Sequence, residues 1–276
     1  MSGRAIIAVF IHSSGKIDRA RRCLLREYLS IETHAFSMDT PRIALLNAGH
    51  AAVETRRNFE RELDAELVEF NCPEGEFPSS FAFDGCVVTG SAASVYWDEP
   101  WIERLKQWVG EAVAAGLPFL GVCYGHQLLA SVLGGEVEDM GEYELGYRTI
   151  HHDGENRLLD GIEEEFTAFT THSDRVTQTP PGANVFARND YGIQGFRTDR
   201  VFAVQFHPEY DLEMARTITK KKDLDEERID AVLATITDEN YRAASETKQL
   251  FDNFLAYVES VQTGRTTVES PTPQTD

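Results

Sequence analysis

Three things are scarce in this chain of 276 residues. Lysine supplies only 6 of the 26 basic residues, which face 46 aspartates and glutamates, for a formal net charge of −20. So broad an excess of carboxylate repels polyanions over most of the surface, which argues against nucleic-acid binding. A carboxylate-rich, lysine-poor surface suits high ionic strength, where screening suppresses self-repulsion, and the expected setting is a halophilic cytoplasm. Cysteine is scarce too. Cys23, Cys72, Cys86 and Cys123 show neither a C-x-x-C spacing nor a dense framework, so neither a disulfide scaffold nor a zinc ribbon is indicated, and a thiol is left for chemistry. Long apolar runs are missing as well. No stretch approaches the ~20 residues that cross a bilayer, so no membrane partner is expected. Residues 5–11 (AIIAVFI) lack the small-residue cleavage site of a signal peptide. No metal and no cofactor is expected.

What is there instead is a globular composition, 42% hydrophobic and 26% charged, sufficient for one large α/β domain or two small domains. Residues 1–37 stand apart: six basic side chains against three acidic give +3, whereas the remainder carries −23. The sign changes just before Met38, and residues 43–47 (IALLN) read as the first buried strand. The expected organisation is a non-native or disordered extension over 1–37, a single domain over 38–262, and a Ser/Thr/Pro-rich disordered tail over 263–276. The rival reading of 1–37 is a basic arm with a role of its own.

Within the domain, apolar runs at 67–71, 85–89 and 119–122 alternate with helical periodicity at 52–66, 101–115 and 126–133. That alternation predicts right-handed crossovers and a mainly parallel central sheet flanked by helices. Beyond Gly135, short strand-like pieces at 145–150, 166–170, 185–188, 193–197 and 201–206 predict antiparallel strands added to the same sheet. Stretches 212–222, 226–236 and 241–261 read as C-terminal helices.

The strongest local signal is Gly121-Val122-Cys123-Tyr124-Gly125, between a strand and a helix. It is the cysteine form of the G-x-S-x-G nucleophile elbow, in which small neighbours let the chain turn sharply and expose a strained nucleophile at the strand's carboxyl end. The helix that follows aims its N-terminal amides at the sulfur and favours thiolate. Taken alone, such a turn can equally enclose an inert cysteine. A second signal is His207-Pro208-Glu209, at the end of strand 201–206. Two residues apart on an extended chain, His207 and Glu209 point the same way. In parallel sheets reactive groups gather at the carboxyl ends of strands, where Cys123 and His207 both fall. His207 is therefore the candidate base for the thiol, and Glu209 the candidate carboxylate that orients the imidazole. A core histidine and a helix-capping carboxylate are the plainer alternatives. An oxyanion would find one donor at the Tyr124 backbone N–H and another in the Thr89-Gly90-Ser91 turn, where Gly90 is free to adopt unusual dihedrals. The alternative for that turn is an ordinary βα loop.

These residues resemble the class I, or triad, glutamine amidotransferases, most closely the GMP synthase-type glutaminase domain and its stand-alone relatives. The resemblance rests on TGSAASVY (89–96), PFLGVCYGHQLLA (118–130), THSDRV (171–176) and AVQFHPE (203–209), in the family's order, and covers roughly residues 42–210. It implies a flavodoxin-like architecture and hydrolysis of the glutamine side-chain amide through a γ-glutamyl thioester on Cys123. It also implies glutamine binding by Gln127 and by the main chain around His172, Ser173 and Asp174, with backbone N–H groups of Ser91 and Tyr124 as oxyanion donors. Gly90-Ser91-Ala92 stands where the family often has Gly-Gly-Pro. No nucleotide-binding loop follows the domain, so the ammonia would serve an unidentified acceptor on a synthetase subunit. Two other readings stay open: a γ-glutamyl peptidase or hydrolase using the same chemistry, and a non-catalytic binding module of the same fold.

Overall fold

The computed structural model describes residues 40–49, 52–153 and 156–268. The expectations for residues 1–37 and for the end of the tail lie outside the described residues. Nine strands form one sheet: β1 (Arg42–Asn47), β2 (Glu66–Asn71), β3 (Gly85–Val88), β4 (Phe119–Val122), β5 (Glu136–His152), β6 (Glu165–Gln178), β7 (Asn184–Asn189), β8 (Gly192–Thr198) and β9 (Val201–Val204). Their order is β2-β1-β3-β4-β9-β8-β7-β5-β6. The five strands from β2 to β9 pair in parallel, with the doubly wound order in which the chain reverses direction beside the first strand. The four from β8 to β6 pair antiparallel.

The central strands are continuous apolar runs because both faces are covered. Ile43 and Leu45 of β1 lie on one face with Val87, Leu120 and Phe202, against Phe59 of helix α1 (Ala52–Glu62) and Phe251, Phe254 and Val258 of helix α7 (Gln249–Val268). Ala44 and Leu46 turn to the other face. There Val88 and Phe119 meet Ile102, Leu105 and Val109 of α2 (Pro100–Ala114) and Leu128 and Leu129 of α3 (Tyr124–Val132). A smaller cluster of Leu145, Phe169, Ala215 and Ile236 seats α4 (Leu212–Lys220) and α5 (Glu226–Thr235) on the antiparallel half.

Three expectations change. The piece expected at 145–150 is the end of the 17-residue strand β5, and the one at 166–170 belongs to the 14-residue β6. The first half of β5 is largely exposed and polar, so it carries no apolar alternation by which to read it. The helix expected over 241–261 divides into α6 (Asp238–Ala244), a 3₁₀ turn at Ser245–Lys248, and α7. The hydroxyls of Ser245 and Thr247 donate to the Tyr241 and Ala244 carbonyls, both at 2.7 Å, and such back-bonding competes with α-helical pairing. Finally, α7 continues to Val268, into the segment expected as tail.

Candidate functional site

Cys123 lies between β4 and α3 with φ 54 and ψ −101. Only it and Asp199 combine a side chain with positive φ among the described residues. Two glycines make the turn. A Cβ on Gly121 would stand 2.5 Å from the Gly125 carbonyl oxygen, and one on Gly125 would stand 2.2 Å from the Val88 carbonyl oxygen. The elbow is thus a consequence of packing α3 directly onto β3 and β4. Tyr124 is the first residue of α3, so its backbone N–H is one of those that a helix leaves without an internal acceptor.

His207 follows β9, and its backbone N–H donates to the Phe169 carbonyl at 2.8 Å. Its Nδ1 lies 2.8 Å from Glu209 Oε1, with both side chains 3% exposed. Nε2 is buried and outside hydrogen-bonding geometry with any group, but the Cys123 sulfur is near enough to bias the ring's charge. Burial opposes the imidazolium; Glu209, followed by Cys123, outweighs it and raises the His207 pKa to about 10. Tyr210 stacks on the ring, with centroids 4.1 Å apart. The Glu209 carbonyl accepts from Arg61 of α1, whose other arm reaches Asp211 at 2.8 Å, the residue that caps α4. Cys123, His207 and Glu209, though far apart in sequence, therefore meet at the carboxyl ends of β4 and β9.

The other cysteines with described positions differ. Burial pushes the Cys72 thiol up to about 12 and the Cys86 thiol well above its ordinary value, which marks both as packing groups.

Two expectations about this region are corrected. Cys123 is 4% exposed rather than open at the elbow, and the turn at Gly90 runs close beside it. A Cβ on Gly90 would lie 2.9 Å from His207 Cε1 and 3.7 Å from Cys123 Cβ. Six residues later the Tyr96 hydroxyl donates to Asp174 Oδ1 at 3.0 Å. Gly90 itself has no positive φ, so the requirement there is space for the imidazole rather than an unusual dihedral. The turn is held by Ser91, whose hydroxyl accepts from the Ala93 N–H at 3.1 Å.

On the opposite wall the Thr171 carbonyl lies 3.9 Å from Cys123 Sγ. Gln127, on α3, donates to the Asp174 carbonyl at 2.9 Å and to Gln205 Oε1 at 3.1 Å. Its amide hydrogens are thus committed within the protein. His172 Nδ1 lies 2.8 Å from the Asp174 carbonyl and Nε2 lies 2.7 Å from Glu144 Oε2. Glu144, Asn189, Gln194 and Gln205 form no motif in the sequence. Only a charged residue at a strand position that pairs with His172 could have hinted at the first of them. Among the described residues no group of three or more His, Cys, Asp or Glu could hold a metal ion, and no helix is long and apolar enough to cross a membrane.

The chain matches the family described as glutamine amidotransferase class-I over residues 48–224. It is 34% identical over 181 residues to the glutamine-hydrolyzing GMP synthase of Aromatoleum aromaticum, covering 61% of this chain and 34% of that protein. It is 32% identical over 150 residues to one of the subunits of the glutamine-hydrolyzing GMP synthase of Methanocaldococcus jannaschii, covering 53% of this chain and 76% of that one. A glutamine amidotransferase structure from Thermotoga maritima superposes with a TM-score of 0.65 at 21% identity, over 78% of this chain and 98% of that one. A glutamine amidotransferase from Methylobacillus flagellatus gives 0.64 at 19% identity, over 79% and 95%. The chain spans about a third of the length of several of the GMP synthases that it matches.

Proposed function

Because the chain belongs to the class I glutamine amidotransferases, we propose that it hydrolyses the side-chain amide of glutamine at Cys123, releasing glutamate and ammonia. The observation that carries this reading is a cysteine held at φ 54 on a strand–helix elbow, beside an imidazole whose far nitrogen is fixed by a buried carboxylate at 2.8 Å. In this reading the Cys123 sulfur attacks the carboxamide carbon while His207 holds the thiol proton. His207 passes that proton to the departing nitrogen as the γ-glutamyl thioester forms. It then deprotonates the water that releases glutamate. Glu209 keeps the imidazole in the useful orientation and stabilises its positive charge. The developing oxyanion is met by the backbone N–H groups of Tyr124 and Ser91. Gln127 and the main chain of His172, Ser173 and Asp174 receive the amino-acid end of the substrate.

The ammonia goes to an acceptor bound by a partner synthetase, as the names of the similar proteins suggest. With Cys123 buried, the isolated chain turns over slowly, well below the ~10 per second typical of enzymes, and partner binding orders the Gly90-Ser91-Ala92 turn.

The test is glutamate release from purified protein given glutamine and a panel of γ-glutamyl amides. Glutamine is hydrolysed, and Cys123→Ala lowers the rate by several orders of magnitude with an unchanged melting temperature. Turnover by the alanine variant would overturn the role of Cys123. Faster release from the larger amides would replace glutamine by a γ-glutamyl peptide.

A further inference from the structure

Behind residues 171–174 lies a buried polar cluster that the proposed chemistry does not use. Glu144 of β5 pairs across the sheet with His172 of β6, and neither is more than 5% exposed. We infer that Glu144 and His172 form a buried ion pair, locked by Asn189 and Gln194, that positions the 171–174 wall for the γ-glutamyl substrate. The inference rests on the reading of the Cys123 site given above.

Hydrogen-bond bookkeeping assigns the charges. The backbone N–H of Tyr191 donates to Asn189 Oδ1 at 2.9 Å, which turns the Asn189 amide nitrogen toward Glu144 Oε1 at 2.5 Å. Gln194 Nε2 faces Asn189 Oδ1 at 3.1 Å and Glu144 Oε2 at 3.0 Å, so its NH₂ group lies there. Glu144 thus accepts from two amides whose orientations a backbone group has fixed, and from His172. Three donors converge on its two oxygens, which favours the carboxylate. His172 then faces acceptors at both ring nitrogens, Glu144 Oε2 at 2.7 Å and the Asp174 carbonyl at 2.8 Å. A neutral imidazole has a single N–H and would leave one of these acceptors against a bare lone pair. An imidazolium satisfies both.

The consequence reaches the wall beside the thiol through the backbone. The Asp174 carbonyl takes hydrogen bonds from His172 and from Gln127, which sits one turn after Cys123. The Thr171 carbonyl borders the sulfur. Residues 171–174 are therefore held from behind by β5, by the β7–β8 hairpin and by α3. Of the ionisable groups, Glu144 on β5 bonds His172 and His126 on α3 lies near enough to sense its charge, while the Asp174 carboxylate accepts from the Tyr96 hydroxyl. His126 is the neutral Nδ1–H tautomer. Gln127 fixes the Gln205 oxygen toward it at 3.1 Å, and burial, then the neighbouring His172, pushes its pKa down to about 3. A neutral His126 beside a charged His172 is the arrangement that avoids two like charges in one apolar setting. The antiparallel half of the sheet accordingly has a role beyond covering the core: β5, β7 and β8 bring Glu144, Asn189 and Gln194 to one point behind the site.

The experiment needs no substrate in its first arm. In the full chain labelled with ¹⁵N-histidine, at neutral pH, His172 shows both ring nitrogens protonated, with the signal assigned by its loss in His172→Asn. A single-tautomer neutral ring would overturn the ion pair. In the second arm, Glu144→Gln converts His172 to its neutral form. It raises KM for glutamine about tenfold while kcat changes far less, because the wall is displaced and the thiol is not. Alkylation of Cys123 by iodoacetamide proceeds at the wild-type rate in this variant. Asn189→Ser, which removes one donor and keeps the pair, moves KM in the same direction by a smaller factor and remains informative if Glu144→Gln does not fold. An unchanged KM in the folded variants would overturn the positioning role. Absence of glutamine hydrolysis in the wild type, with His172 still doubly protonated, would instead count against the proposed reaction and leave the ion pair standing.

Discussion

At the level of single residues, the positive φ of Cys123 comes from the tight strand–helix turn that Gly121 and Gly125 permit, and the raised pKa of His207 from the charges of Glu209 and Cys123 beside it. An ordinary imidazole ionises near 6.5. In the folded chain His207 does so at about 10, since Glu209 and Cys123 outweigh the cost of burying its charge. A raised pKa contributes stability that is fully present below about 6.5 and is lost as pH rises through the folded value. Glu209→Gln removes the leading attraction. The variant's deficit in melting temperature is therefore full at and below about pH 6.5 and shrinks progressively as pH rises from there to about 10, measured by thermal melts across that range. A deficit independent of pH would contradict the coupling. Glutamate release falls less in Glu209→Gln than in His207→Ala, because one residue orients and stabilises charge whereas the other carries the proton.

Among the elements, the fit of α3 against β3 and β4 is the most constrained. The space a Cβ on Gly125 would need is filled by the Val88 carbonyl, at 2.2 Å, and β3 is held between β1 and β4. Neither strand can yield without breaking the centre of the sheet. Gly125→Ala is expected to destabilise the protein by at least the about 1–3 kcal/mol typical of overpacked cores, read from urea denaturation. Because the shift would displace the N-terminus of α3, it also lowers the alkylation rate of Cys123. Normal stability in this variant would mean that the helix sits farther from the strand than described.

For the whole molecule the dominant long-range quantity is charge. With 46 carboxylates against 26 basic residues, repulsion outweighs attraction over the surface. Exposed pairs such as Arg42–Glu66 and Arg56–Glu60 contribute little each. Raising salt from 0.1 M to 1 M shortens the screening length from about 10 Å to about 3 Å. The melting temperature is expected to rise over that interval as self-repulsion is suppressed. A fall would mean that ion pairs dominate, and would remove the argument for a salt-rich cytoplasm.

Much of this molecule could be read from its residues in order. Apolar runs at 43–47, 85–89 and 119–122 had to become buried parallel strands, since continuous Val, Leu and Ile leave no face for water. The elbow glycines and the two-residue spacing of His207 and Glu209 placed the reactive groups at strand ends, because strand and turn geometry are local properties. What local patterns could not carry was decided by tertiary structure. The polar half of β5, the link from Tyr96 to Asp174, and the convergence of Glu144, His172, Asn189 and Gln194 all depend on groups 28 to 78 residues apart. Their bonds exist only once the sheet has brought β5, β7 and β8 together. A buried glutamate in an otherwise acidic chain looks like any solvated one until the partners that neutralise it are in place.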